Sequence, residues 1–478
     1  MKSFIKSFSI YGMIPIFGKF IGILLLPLYA RALSPDDYGA QDILIQITIF
    51  ITFLINLEMY GGVGRYFYEK TDFTDKRKLV STGLWLTVLF AIVIVGLALV
   101  IKRTLYGLFF ATGSYVGAFN LTLVWAPISS LYTYLLVLMR YEKNPKLYFL
   151  VVNIQLLIRI FATIVCVLFL KLGVFGVVLG HVIAETSSIM MFGAVLRKYI
   201  GLKFDFHDFK LIALFSLPMV PAVLIISFQK PLIRYLVANL LSVTDMGFYS
   251  IALQIAAILS FVQFGLRMAW YPHLFELVSK PGYESEVKKI YNFFLGIVSF
   301  VAVLIILNGG LLLRILTTPA YYPAKSIIGF IVIYEVLEIV RQISGCGPAI
   351  VKKTIYTSYY ELAASFAAVL GFLVLHKYIG IIGLSVSFIL GSLIKFVWSW
   401  KLTQRFTEIK FSMRPTYAIT VFLTIISIAY AMYNISHLVS LLLSIILLAT
   451  VVIIYRTQLV NVSRYSFLKL SQLKKEVG

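Results

Sequence analysis

The residues of this chain whose types could do chemistry are charged side chains standing inside long apolar runs. Lys19, Asp42, Glu58, Arg159, Glu185, Glu335, Glu338, Arg341, Glu361 and Lys395 each interrupt such a run. Arg31, Lys230, Arg234 and Arg267 lie near run ends. An ionisable group at membrane depth is costly and is retained where it faces a cavity or a partner. For the four near run ends, and for Lys395, the plain alternative is a side chain that snorkels to the interface. Lys19 and Arg159 are deeper and have no acid nearby in the sequence, which points them at a cavity. Glu335, Glu338 and Arg341 are spaced by three and share one side of a helix. Glu338 and Arg341 can pair internally, so a structural ion pair competes with a proton-relay role. His181 reads as a hydrogen-bonded core residue, not a ligand.

Other chemistries lack their motifs. There is no HExxH, no GxSxG and no His/Cys cluster, and Cys166 and Cys346 read as two thiols buried in the membrane. Gly12 to Lys19 looks like a phosphate loop, but five residues separate Gly12 from Gly18 where four are needed. Phe20 also stands where Ser or Thr would hold magnesium. The expectation is therefore no cofactor and no ATP site. Any pumping must draw on an ion gradient, the membrane potential or the substrate gradient.

The elements that position these residues are transmembrane helices. The chain has 478 residues, of which 60% are hydrophobic and 13% charged, with mean hydropathy +0.95. That is too little charge to cover a soluble surface. Apolar runs fall at about 9–32, 40–63, 80–101, 117–138, 147–171, 174–195, 211–237, 246–270, 291–313, 326–347, 356–376, 380–400, 416–434 and 437–455. Backbone polar groups cannot stay unpaired in lipid, and these runs are too long and too continuous for barrel strands. They predict an all-α integral membrane protein of about 14 helices.

The net charge of +22 would suggest nucleic acid in a soluble protein. Here the basic residues sit between apolar runs instead of on one face, so nucleic acid is excluded as a partner. With the N-terminus placed in the cytoplasm, 28 of the 42 basic residues fall in cytoplasmic segments and eight on the opposite face. This asymmetry predicts a multi-pass protein with both termini cytoplasmic and an uncleaved first helix. Glu58 then sits near the cytoplasmic end of helix 2 and Asp42 near its outer end. The basic tail from Arg456 is expected on the anionic inner leaflet.

An internal repeat organises the helices. Residues 33–47, LSPDDYGAQDILIQI, match residues 241–255, LSVTDMGFYSIALQI, at an offset of 208. Leu33, Ser34, Asp37, Gly39, Ile43, Gln46 and Ile47 recur as Leu241, Ser242, Asp245, Gly247, Ile251, Gln254 and Ile255. Gly173 and Gly176 recur as Gly380 and Gly383 at an offset of 207. Six helices separate the copies, so the halves are parallel repeats. Such duplications form two bundles around a central cavity. The boundaries are 1–208 for the first six-helix lobe, 209–404 for the second, 405–455 for two added helices and 456–478 for the tail. Ser34, Asp36 and Asp37 suit a helix cap, with Gly39 permitting a tight entry to the helix. A metal-binding acidic pair is the sharper alternative at Asp36 and Asp37.

With the duplication and the helix count, the segments ALSPDDYGAQDIL at 32–44 and FSLPMVPAVLIISFQKPLIRYLVANLLSVTDMGFYSIALQI at 215–255 resemble the polysaccharide-transport (Wzx-type) flippases. That family shares a superfamily, the multidrug/oligosaccharidyl-lipid/polysaccharide exporters, with the lipid II flippases and the MATE antiporters. The family often carries an acid before the basic residue late in helix 7. This chain has Gln229–Lys230 followed by Pro231, which keeps the base and drops the acid.

The resemblance implies a bacterial or archaeal plasma membrane protein, acting as a monomer and not as an enzyme. Its cargo would be an oligosaccharide on an undecaprenyl diphosphate carrier, and its neighbours membrane lipids and glycan polymerase machinery. A cationic cavity of Lys19, Arg31, Arg159, Lys230, Arg234, Arg267 and Arg341 would bind the diphosphate. Asp42, Glu58, Glu335 and Glu338 would serve proton or sodium coupling, with no metal site. Two rivals stand beside it. A MATE-like cation antiporter would need acids in the cavity, often in helix 1, where this chain has Lys19. A membrane-embedded polymerase or glycosyltransferase would need a sizeable loop, and the longest, 271–290, has room for only ~20 residues.

Overall fold

The computed structural model describes residues 25–142, 144–201, 204–278, 281–351, 353, 355–432, 439, 440 and 442–445. Lys19, most of the first and last predicted runs and the basic tail lie outside the described residues, as does the side chain of Arg267. Among the described residues the ordered elements are helices, with no strand. Eight of these helices are long and apolar enough to cross a membrane.

Along the first half run α1 (Pro35–Asn56), α2 (Met59–Phe67), α3 (Phe73–Val100), α4 (Lys102–Phe109), α5 (Val116–Tyr141), α6 (Pro145–Ile164) and α7 (Gly173–Phe192). Then come α8 (Phe206–Ser216), α9 (Val220–Leu240), α10 (Val243–Ala256), α11 (Leu259–Leu277), α12 (Tyr283–Leu316), α13 (Lys325–Ser344), α14 (Ile355–Phe406) and α15 (Arg414–Met432). The run read from the sequence as one helix over 40–63 is broken. Leu57 and Glu58 take left-handed dihedrals, φ 40° and 58°, and separate α1 from α2. Its repeat partner also breaks, between α10 and α11, but there Ala257 and Ile258 keep right-handed dihedrals.

The repeat explains the local geometry. Ser34 Oγ accepts the Asp37 N–H at 3.1 Å, and the Asp37 carboxylate accepts the Ser34 N–H at 3.3 Å. This reciprocal box, with Pro35 in the first turn, satisfies donors that would otherwise be orphaned at the start of α1. Ser242 and Asp245 start α10 in the same way, with Asp245 N–H to Ser242 Oγ at 3.0 Å. The acidic residues are thus caps, and no group of three metal-binding side chains occurs among the described residues. The second repeated pair sets two hairpins. Gly173 and Gly380 have φ +53° and +54°, the left-handed region open to glycine. Three residues on, a Cβ at Gly176 would lie 3.0 Å from the Cys166 carbonyl oxygen, and one at Gly383 would lie 2.9 Å from the Leu375 backbone. In both places the chain doubles back with helix backbone against helix backbone. Gly380 therefore divides α14 into two membrane-length segments.

Gly39 and Gly247 have a different purpose from the tight helix entry expected at Gly39. Both are helical, and they bring the two halves together. A Cβ on Gly39 would stand 2.0 Å from the Val243 carbonyl oxygen, and one on Gly247 would stand 2.0 Å from that of Pro35. The contact is reciprocal, as an interface between related halves must be. The Thr244 hydroxyl donates to Asp36 across the same seam. Tyr321 donates to the Leu33 carbonyl at 2.8 Å, and its ring meets Tyr38 edge-on at 6.0 Å. Small residues allow such close helix approach in a bilayer, where apolar burial gives little drive between helices.

At the other end of α1, helix α8 packs on α2. Ser216 Oγ donates to the Glu58 carbonyl at 3.0 Å, Lys70 meets Asp208 at 3.1 Å, and the Tyr66 and Phe215 rings meet edge-on. Most of α8 follows residue 208 in sequence yet lies against the first half.

Gly39→Ala and Gly247→Ala are each expected to cost about 1–3 kcal/mol through forced separation of the halves. Gly96→Ala, whose Cβ would meet nothing within 4 Å, is the control. Thermal denaturation in detergent should show lower midpoints for the first two only.

Candidate functional site

Below the glycine crossing the seam becomes charged. Asp42, almost one turn beyond Gly39 on α1, holds Arg234 of α9 with Oδ2 to Nε at 2.9 Å. The pair spans the two halves, and both side chains are mostly buried, with 18% and 10% exposure. Tyr249 of α10 is buried within electrostatic reach of Asp42, Arg234 and Glu335, so four elements converge here. Lys230 lies one turn from Arg234 on α9. It is exposed and makes no ion pair among the described residues. At the same helix level Gln229 accepts from the Ser365 hydroxyl of α14 at 3.1 Å.

The first half carries a second polar cluster. Glu185 of α7 is buried and accepts the Trp125 indole N–H at 2.9 Å. His181, one turn away, stacks on Trp125 with ring centroids 4.5 Å apart. Arg159 of α6 lies within electrostatic reach of Glu185, His181, Tyr132 and Tyr29. Among the described residues its Nε is buried without a hydrogen-bond partner, and Arg159 makes no ion pair. A buried guanidinium N–H without an acceptor is costly, and an anionic group would satisfy it.

The second half carries a closed quartet instead. Lys395 Nζ lies 2.9 Å from both Glu338 and Glu361, and Arg341 lies 3.0 Å from Glu338 and 3.5 Å from Glu361. Ser392 donates to Glu338 at 2.8 Å. Two acids and two bases cancel, as low dielectric demands. Lys395 is 8% exposed and does not reach the interface, so snorkelling is not its arrangement. The internal Glu338–Arg341 pair foreseen from spacing is present, within a larger network that draws in Glu361 and Lys395.

The structure thus gathers Asp42, Lys230, Arg234 and Glu335 at the seam, and Glu338 and Arg341 in the quartet. Arg159 stands in the first-half cluster. Glu58 sits at the α1–α2 break, accepting from the Tyr60 hydroxyl at 3.1 Å, away from the seam pair. Arg31 is exposed on the helical segment preceding α1. Trp125 and the Tyr29–Tyr132 pair around Arg159 were not singled out by sequence reasoning. Aromatic residues are 15% of the chain, and nothing in their spacing separates these from the rest.

The helical fold, with its charged seam between two halves, is that of the MATE transporters and the lipid II flippases. Comparison with solved structures agrees. The lipid II flippase MurJ in an inward closed conformation has TM-score 0.69 at 15% identity, over 95% of this chain and 99% of that one. An inward-facing multidrug resistance MATE transporter of the MOP superfamily has TM-score 0.60 at 13% identity, over 83% and 94%. A Vibrio cholerae MATE transporter has 0.52 at 14%, over 85% and 98%. Residues 28–262 match the model of a family described as polysaccharide biosynthesis protein. No curated protein matches the chain by sequence.

Removing one partner of a buried ion pair strands the other charge. Asp42→Asn or Arg234→Gln alone should therefore cost on the order of 3 kcal/mol, and the double variant well under the sum. Chemical or thermal unfolding of the three variants in detergent measures this.

Proposed function

We propose that this protein is a flippase for an oligosaccharide linked to undecaprenyl diphosphate, moving it from the cytoplasmic to the outer leaflet. The observation that supports this most is the imbalance of charge at membrane depth. The quartet is neutral and Asp42 offsets Arg234, which leaves Arg159 and Lys230 as cations in no ion pair among the described residues. A diphosphate headgroup is the anion such a cavity suits, and the polysaccharide biosynthesis signature over 28–262 favours a glycan as the rest of the cargo. Lys19, Arg31 and Arg267 would add to the cationic wall, and aromatic faces would stack on sugars.

By the distribution of basic residues, the end closed by Gly39 and Gly247 is the outer one. Cargo would enter from the cytoplasmic side, and rocking of the two bundles about the seam would expose it outside. The hydrocarbon tail would stay in the bilayer. Proton or sodium coupling would fall to acids of the seam, Asp42 and Glu335. The protein would act as a monomer in the plasma membrane, beside the machinery that polymerises its product. A cation antiporter would find few uncompensated acids in this seam.

Deletion of the gene followed by mass spectrometry of lipid-linked intermediates tests the reading. A diphosphate-linked oligosaccharide should accumulate. Unchanged lipid pools with altered drug tolerance would favour the antiporter. Arg159→Ala and Lys19→Ala should each restore no glycan export to the deletion strain, while circular dichroism and membrane yield stay normal.

A further inference from the structure

The seam has a second side. On α1, Asp42 and Gln46 face one way, while Ile47, Phe50, Ile51 and Leu54 line a cavity of about 490 Å³ on the other. On α9, Lys230 and Arg234 share the polar side, while Phe228, Pro231, Leu232 and Tyr235 complete the cavity. Its far wall is α3 and α5, and α4 roofs it. The lining is entirely hydrocarbon and aromatic apart from the Tyr235 hydroxyl, and the space lies between the halves at membrane depth. We propose that this groove binds one acyl chain of an anionic phospholipid, with the headgroup on Lys102 and Arg103.

Depth fits the occupant. From Ile47 to Leu54, and from Phe228 to Tyr235, the groove runs along helix for seven residues, about 10 Å. One leaflet's hydrocarbon layer is about 15 Å deep, so most of a single chain lies within the groove. Leu97, Ile101 and Leu108 of the lining are 59%, 49% and 39% exposed, which opens it sideways to the bilayer. The roof is pinned in place. Asn239 Nδ2 donates to the Leu108 carbonyl at 2.6 Å, and Phe109 meets Tyr235 edge-on at 6.1 Å.

Charge selects the headgroup. Lys102 and Arg103 open the roof helix, directly after Ile101 of the lining. Both are exposed, and neither makes an ion pair among the described residues. Two unpaired bases above an apolar slot match a phosphodiester over a hydrocarbon chain. Because α1 and α9 belong to different halves, the chain would act as a wedge at the seam, coupling bilayer composition to bundle movement. Such a site depends on the bilayer and stands whatever the cargo.

Native mass spectrometry of the purified full chain, titrated with phosphatidylglycerol or phosphatidylcholine, provides the test. One phosphatidylglycerol should bind at a concentration about ten-fold lower than phosphatidylcholine. Lys102→Glu with Arg103→Glu, at exposed positions, should remove that preference. Leu97→Trp should fill the slot and abolish the tight adduct. Ile101→Trp at the mouth takes its place if Leu97→Trp does not fold, judged by circular dichroism. Equal binding of the two lipids, or an unchanged preference in the charge variant, overturns the headgroup assignment. A tight adduct surviving the tryptophan variant overturns the site. Displacement of phosphatidylglycerol by polyprenyl phosphate at lower concentration would give the groove to an isoprenoid chain and overturn the proposal.

Discussion

Two glycines in contact with backbone set the geometry on which the rest of this molecule depends. Gly39 and Gly247 let α1 and α10 touch at their first turns, where any side chain would drive them apart. That contact fixes the distance between the two halves at one end of the membrane. It also puts the caps of both helices at one level, so that Thr244 reaches Asp36 and Tyr321 reaches Leu33. Almost one turn further along α1, the same closeness brings Asp42 within reach of Arg234. In a bilayer this is the economical way to join helices, because lipid tails compete equally for apolar surface and only packing and polar contacts remain.

The second constraint is the cost of charge in hydrocarbon. It is met differently in the two halves. The second half gathers four charges from α13 and α14 into a neutral quartet, which ties helices together and presents no net field. The first half leaves Arg159 beside Glu185, His181 and Trp125 with an unsatisfied buried nitrogen. The duplication therefore preserved the backbone frame while its charges diverged, one half toward scaffolding and the other toward an unpaired cation beside the seam. The family model that matches residues 28–262 covers this first half.

Much of this is legible in the sequence. The caps at Ser34 and Ser242, the doubled glycines and the Glu338–Arg341 pair all follow from short-range rules. A capping box spans four residues and an intrahelical pair spans one turn. The breaks at Leu57–Glu58 and after Ala256 are not legible there, because a single charge among apolar residues does not end a run. Hydropathy does not register backbone dihedrals. The position of α8 on the first half is hidden for a related reason: its partners, Glu58 and Lys70, lie more than a hundred residues upstream in the chain.

What the sequence by itself determined is whatever the bilayer imposes residue by residue. Apolar runs of membrane length, the bias of basic residues and the repeat at offset 208 are each read against a fixed external reference, and they suffice for an all-helical, duplicated membrane protein. What only the tertiary structure decided is which charges meet. Arg234 finds Asp42 across 192 positions and Lys395 finds Glu361 across 34, while Arg159 makes no ion pair among the described residues. No local pattern encodes those outcomes. They depend on helix rotation and on the close approach at two glycines, and in a low dielectric a shift of a few ångströms separates a neutral scaffold from a cationic site.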